Sequence, residues 1–154
     1  TGAFGYLFNS LAHPTNTLAA GIRQAILRGD VNELRLLLGE ANLSANDMAI
    51  AQRALTAMEN VGGPEAKMLA ERYGLDFANK IGHAFENRLH PHGLDSLVNT
   101  YGSAERAFLE AQSKVDALSM SSGPFQRVIT LDGMNVTVRG FVQNGLARIN
   151  TIFP

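Results

Sequence analysis

The apolar pattern of this 154-residue chain changes its period once, after Pro124. Before that point the pattern is helical, and after it apolar and polar residues alternate, as in half-buried β-strands. The alternating segments are residues 127–131, 134–143 and 146–153. Asp132-Gly133 and Asn144-Gly145 lie between them, and both dipeptides favour two-residue hairpin turns. The sequence therefore predicts a three-stranded antiparallel meander at the end of the chain.

The two turns also predict which strand residues face each other. The predicted pairs are Ile129 with Val136, Val142 with Ala147, Gly140 with Ile149, Arg139 with Asn150, and Val138 with Thr151. One face is then apolar and must pack on helices; it carries Ile129, Leu131, Met134, Val136, Val138, Val142, Ala147 and Ile149. The other face is a candidate binding platform and carries Thr130, Asn135, Thr137, Arg139, Phe141, Arg148 and Asn150. This register puts Thr151 on the apolar face, opposite to Arg139.

Residues before 119 form predicted helices with glycines at their joints. Thr15, Asn16, Asp30, Ser44 and Ser103 are N-cap candidates, and Pro64 suits a first helical turn. The predicted helices cover residues 17–28, 31–38, 45–60, 64–74, 75–89 and 104–118. The last of these has an apolar stripe of Ala107, Ala111, Val115 and Leu118. We therefore expect an α+β fold. Residues 1–74 form a small helical bundle, and residues 75–154 form helices packed on the meander.

Composition restricts the classes of function. Hydrophobic residues make up 45% of the chain, which is enough for a core, and the absence of cysteine fits work in a reducing cytoplasm. Thirteen basic residues face fourteen acidic ones, which argues against a protein that binds nucleic acid mainly through phosphates. The chain starts with Thr1 and its first segment has no signal-peptide pattern. We therefore expect a fragment of a longer polypeptide, without stable membrane insertion.

Three of the four histidines, His83, His90 and His92, fall within ten residues. Histidine takes up or releases a proton near neutral pH, so two of them can act as base and acid in one reaction. RNA cleavage without a metal or cofactor needs such a pair. A cation must also stabilise the charge on the phosphorane, and Arg139 is the candidate. The candidate substrate-binding residues are Asn87, on the helical stripe of His83 and His90, and Thr137 and Arg148 of the polar sheet face.

Other interpretations of these residues stay open. Histidines near a helix end often cap carbonyls or lie in solvent, and His13, next to a proline, is expected to be structural. His83, Glu86, His90 and His92 could also ligate zinc, although their spacing matches no standard zinc pattern. A third alternative is a helical module that binds a protein partner and catalyses nothing.

Both ends of the chain resemble a known group of proteins. Residues 1–10, Thr-Gly-Ala-Phe-Gly-Tyr-Leu-Phe-Asn-Ser, resemble the junction that precedes the variable toxin end of CdiA-type and related polymorphic toxins. The spacing His83-x-x-x-Asn87-x-Leu89-x-x-His92, followed by a helix and by residues 136–140 and 149–154, is similar to toxin domains of contact-dependent growth inhibition systems. Helices followed by a small sheet also resemble barnase-, EndoU- and colicin-like ribonucleases.

The resemblance implies a secreted or cell-surface bacterial protein whose end acts in the cytoplasm of a target bacterium. Residues 1–74 would be a translocation-type region and residues 75–154 a ribonuclease, with tRNA as the expected substrate. The expected protein partners are a cognate immunity protein and a host translation factor. His83 and His92 would be the acid–base pair, and Arg139 and Thr151 would contact the phosphate.

Overall fold

The computed structural model describes residues 11, 17–40, 42–86, 89 and 92–154. These residues fold as seven helices followed by a three-stranded antiparallel sheet, so the α+β prediction is confirmed. The chain divides into two compact units, one up to Asn79 and one from Lys80 onwards. No helix within the described ranges is both long and apolar enough to cross a bilayer.

The first unit is a bundle of short helices. Its helices are α1 (Thr17–Arg28), α2 (Val31–Leu38), α3 (Ala45–Val61) and α4 (Gly63–Tyr73). Helix α1 contacts the other three, and their fully buried side chains include Ile22, Ile26, Leu34, Met58 and Leu69. Gly29 has a φ of 68°, and a Cβ there would overlap the carbonyl oxygen of Gly63. Glycine at this position therefore allows the C-terminal end of α1 to contact the start of α4.

The predicted starts of α2 and α3 are confirmed by their caps. The Asp30 side chain accepts from the backbone N–H of Glu33, and the Ser44 hydroxyl accepts from that of Asp47. Pro64 lies in the first turn of α4, where its missing N–H costs no helical hydrogen bond. The candidates Thr15 and Asn16 lie outside the described residues.

Helix α5 (Phe77–Phe85) crosses the boundary between the units, and the second unit continues with α6 and α7. The prediction that α5 reaches Leu89 is wrong. The backbone N–H of Glu86 donates to the carbonyl of His83, and this three-residue turn closes the helix. Helix α6 (Asp95–Tyr101) was not predicted, although it has an acidic first turn and ends at Gly102 with a left-handed backbone.

Helix α7 (Ala104–Asp116) carries the apolar stripe that packs on the sheet. Ala107, Ala111 and Val115 are buried, as predicted, and α7 contacts both outer strands. Gln112 is buried as well, and its amide Nε2 donates to the carbonyl of Ala147 at 3.0 Å. Leu118, which was predicted to extend the stripe, lies beyond the end of α7 and is 42% exposed.

The sheet has the strand order β1 (Gly123–Leu131), β2 (Met134–Gln143), β3 (Leu146–Phe153). Strand β1 starts four residues earlier than predicted. Both central residues of each turn, Asp132-Gly133 and Asn144-Gly145, have positive φ, as the predicted hairpins require. The predicted apolar face is buried, apart from the half-buried Met134 at the turn. The pairs Ile129–Val136, Val142–Ala147 and Gly140–Ile149 are confirmed.

The predicted register fails beyond Gly140 because β3 contains a bulge. Gly140 pairs with Ile149 but Arg139 pairs with Thr151, so Asn150 is an extra residue between the two pairs. The predicted pairs Arg139–Asn150 and Val138–Thr151 are therefore wrong, and Val138 pairs with Ile152. The reason is burial: Ile149 and Ile152 are both buried, and two residues three apart in a strand can share a face only across an extra residue.

Candidate functional site

His83 lies in the last turn of α5, and its neighbours in the helix fix its position. Ile81 and Ala84 are buried, and the ring of Phe85 meets that of Phe108 edge to face, with centroids 6.5 Å apart. The side chain of His83 is 64% exposed, and its Nδ1 lies 3.2 Å from Oε2 of Glu86. The helix end is therefore anchored in the core while the imidazole faces solvent beside a carboxylate.

His92 lies in the turn that precedes α6. Its φ of 61° is left-handed, and its carbonyl accepts from the backbone N–H of Asp95. The buried side chains of Leu94 and Leu97 hold the turn and the helix start in place. The imidazole is 85% exposed, and its Nδ1 lies 3.0 Å from Oδ2 of Asp95. His92 thus repeats the arrangement of His83, with a carboxylate three residues later in the chain.

These two histidine–carboxylate pairs, His83–Glu86 and His92–Asp95, have a defined chemistry. An ionised carboxylate only accepts hydrogen bonds, so each Nδ1 carries a proton and each neutral ring presents Nε2 as an acceptor. No described residue forms a hydrogen bond to either Nε2. Such an Nε2 can take a proton from a substrate, and after protonation it can donate one. Exposed pairs contribute little to stability, on the order of 0–1 kcal/mol, so their main effect is to orient the rings.

The remaining members of the histidine cluster lie outside the described residues. These members are His90 of the cluster and the neighbouring Asn87. His13, which is not part of the cluster, also lies outside the described residues. The predicted stripe of His83, Asn87 and His90 required a helix through Leu89, and α5 ends before it. Within the part of the chain that the structure describes, no three His, Asp or Glu side chains cluster closely enough to hold a metal ion.

The bulge in β3 brings Arg139 and Thr151 together on the exposed face of the sheet. The prediction that they face opposite sides is wrong, because Asn150 moves Thr151 onto the face of Arg139. Thr137 and Arg148 are on this face too, as predicted. Thr137 is half-buried and Arg148 is exposed. All four predicted phosphate-contacting or substrate-binding residues of the sheet therefore share one surface.

Two residues that were not predicted hold the Arg139 side chain. Its Nε donates to Oε1 of Gln126 at 2.7 Å, and its guanidinium carbon lies 5.0 Å from the ring centroid of Phe153. Gln126 is the cross-strand partner of Arg139, and the Asp132-Gly133 turn already implied that pair. Phe153 faces the same side only because of the bulge. The signal for the bulge was the spacing of Ile149 and Ile152.

Comparison of the chain with protein-family models, with curated proteins and with solved structures gave no match. Function is therefore inferred from two local features of the second unit. One is the two histidine–carboxylate pairs, and the other is the exposed sheet face around Arg139.

Proposed function

We propose that residues 75–154 are the ribonuclease domain of a bacterial toxin that cleaves RNA, with tRNA as the substrate, without a metal. One observation carries this proposal. Both described histidines of the cluster, His83 and His92, are exposed and are oriented at Nδ1 by a carboxylate three residues later. Two imidazoles of this kind provide a base and an acid that a large substrate can reach.

The proposed reaction is an internal transfer at phosphorus. The Nε2 of one histidine takes the proton of a 2′-hydroxyl, and the 2′-oxygen forms a bond to the adjacent phosphorus. The bond from phosphorus to the 5′-oxygen breaks, and the protonated Nε2 of the other histidine donates its proton to that oxygen. The products are a 2′,3′-cyclic phosphate and a 5′-hydroxyl. Arg139 and Thr151 are proposed to contact the phosphate as its charge increases.

The biological setting is part of the same proposal and rests on the resemblance to contact-dependent growth inhibition toxins. The domain would belong to a larger secreted or cell-surface protein and would act in the cytoplasm of a target bacterium. A cognate immunity protein would protect the producing cell, and a host translation factor is a further proposed partner. The nearly balanced charge of the chain supports a partner that helps to hold the RNA, since phosphate binding alone favours basic proteins.

The direct test is to incubate the protein with total bacterial RNA in excess EDTA. The proposal predicts discrete fragments that end in 2′,3′-cyclic phosphates. Cleavage that stops on chelation and returns with zinc would instead indicate a zinc nuclease. No cleavage in vitro, together with normal growth of cells that produce the chain without a partner, would overturn the proposal and favour a protein-binding module.

The two histidines are tested by substitutions that preserve the backbone. His83→Gln places a good helix former in α5. His92→Asn places asparagine at a position with left-handed backbone, a conformation that asparagine tolerates well. Each variant should lose cleavage by about 100-fold or more, the usual contribution of a general acid or base. Lys67→Gln, an exposed change on α4, is the matched control and should cleave normally. Full activity in either histidine variant, with an unchanged circular dichroism spectrum, would remove that residue from the mechanism.

The carboxylates have a weaker, positioning role. Glu86→Gln and Asp95→Asn keep the shape of each side chain but remove the charge that holds Nδ1. We expect each to lower kcat less than loss of its histidine does, while KM stays unchanged. A purely structural role would lower the melting temperature and leave kcat of the folded protein unchanged.

A further inference from the structure

The face of the sheet that points away from α7 is regular over three cross-strand rows. Each row takes one residue from each strand, and the bulge at Asn150 aligns β3 with the other two strands. The rows, which together we name the outer face, are Pro124–Phe141–Arg148, Gln126–Arg139–Thr151 and Val128–Thr137–Phe153.

The outer face contains no acidic residue. Residues 123–154 hold three arginines and a single acidic residue, Asp132, which lies in a turn, whereas the whole chain has a net charge of −1. Two of the three arginines, Arg139 and Arg148, are on the outer face and are exposed. Positive charge is therefore concentrated on one surface of a chain that is otherwise slightly acidic, and such a surface complements a polyanion.

The outer face also exposes two apolar side chains. Phe141 is 46% exposed and Val128 is 65% exposed. Phe141 lies directly between Pro124 and Arg148, and Arg139 is two residues away on the same strand. An exposed ring with a guanidinium group beside it is the combination on which unstacked bases pack.

The guanidinium group of Arg139 is fixed in position and is available to bind such a ligand. Gln126 and the ring of Phe153 fix its guanidinium group. No carboxylate among the described residues forms an ion pair with Arg139. Its charge is therefore not neutralised within the part of the chain that the structure describes, and it can bind a phosphate without first breaking an ion pair.

We propose that the outer face binds single-stranded RNA, with a base stacked on Phe141 and phosphates bound by Arg139 and Arg148. This deepens the proposed function, since it specifies unpaired segments, such as tRNA loops, as the region of RNA that the domain holds. A duplex fits this face poorly because its bases are already stacked, and proteins contact it through its backbone. Unpaired bases can instead turn their flat sides towards the ring.

Binding is measured separately from cleavage with a labelled oligonucleotide of about ten 2′-O-methyl uridines, a length typical of single-strand sites. This probe has no free 2′-hydroxyl and cannot be cut by the proposed reaction. Phe141→Leu keeps an apolar side chain without a ring and should weaken binding by about fivefold or more, as the loss of one stacked base does. Phe141→Tyr keeps the ring and should bind like the wild type.

The arginines are tested through the salt dependence of the same binding. Arg139→Gln and Arg148→Gln should each weaken binding and each lower the slope of log K against log salt concentration by about 0.7, the value for one phosphate contact to a single strand. The matched controls are exposed residues of α2: Arg35→Gln for the arginines and Leu36→Ala for the apolar change. Both controls should leave the affinity and the slope unchanged.

The outcomes separate this proposal from the proposed enzyme. If all three outer-face variants bind the probe like the wild type, or if a duplex of the same length binds as tightly, the outer face is not a single-strand site, even where the protein still cleaves RNA. If the variants lose binding as expected while the wild type never cleaves RNA, the binding proposal stands and the ribonuclease proposal fails. Failure of the wild type to bind the probe overturns the binding proposal.

Discussion

One added methyl group at Gly140 has a defined consequence for the sheet. Gly140 is in the centre of β2, next to the bulge, and is buried. A Cβ at this position would overlap the carbonyl oxygen of Arg148 and come within 2.8 Å of the ring of Phe125. The ring can rotate away, but the carbonyl belongs to the backbone of β3. Gly140→Ala therefore forces the two strands apart at the bulge.

The expected cost follows from overpacking a buried site, which destabilises proteins by about 1–3 kcal/mol. Because a backbone atom must move, we expect the upper end, about 3 kcal/mol, with a melting temperature lowered by about 10 °C or more. Gly82→Ala is the matched control. Gly82 is exposed within α5 and a Cβ there meets nothing within 4 Å, so the change should stabilise the fold by about 0.5–1 kcal/mol.

Urea unfolding, followed by far-ultraviolet circular dichroism, measures the free energy of unfolding of Gly140→Ala and of Gly82→Ala against that of the wild type. The two variants carry the same chemical change and should shift in opposite directions. A Gly140→Ala protein as stable as the wild type would contradict the close approach of β2 and β3 at the bulge. Alignment of Thr151 with Arg139 would then need another explanation.

Two further predictions concern the bulge and Tyr101. Deletion of Asn150 removes only the extra residue and should leave a folded protein, whereas deletion of Thr137 reverses the facing of half of β2 and should abolish cooperative unfolding; equal damage from the two deletions would contradict the observed register. Burial, together with the carboxylates of Glu110 and Asp132, raises the pKa of Tyr101 above its ordinary value, against a lowering by a backbone hydrogen bond at Asp132. The folded state therefore retains this proton more strongly, so the contribution is fully present below pH about 10 and is lost as the pH rises beyond it. Tyr101→Phe should lose less stability than the wild type between pH about 9 and about 11, and identical losses would show that Tyr101 is not perturbed.

The parts of the fold that were predictable are those fixed by local chemistry. Asp-Gly and Asn-Gly turns have positive φ at both central residues, and that geometry determines the strand pairs next to each turn. Asp30, Ser44 and Ser103 cap helices where the sequence placed them, because a short oxygen side chain satisfies an otherwise unpaired N–H. These effects act over three or four residues and can be read directly from the sequence.

The errors came from interactions between segments that are distant in the sequence. Turn geometry alone predicts a regular β3, and only the need to bury both Ile149 and Ile152 against the helices introduces the bulge. The early end of α5 at Phe85 was also not predicted, since residues 86–89 include good helix formers, and the described contacts give no reason for it. The carboxylate partner of His92 could have been predicted from the sequence. Asp95 follows His92 by three residues, just as Glu86 follows His83 by three residues.

The most direct test of the central proposal is to sequence RNA ends after brief production of the protein in a bacterial cell. The wild type, His83→Gln and His92→Asn are compared in the same strain, with ends mapped by methods that detect cyclic phosphates. We predict new 2′,3′-cyclic phosphate and 5′-hydroxyl ends at discrete positions in tRNA for the wild type, and none for either variant. Identical new ends with all three proteins, or no new ends with the wild type, would contradict the assignment of these two histidines as the acid and base of a ribonuclease.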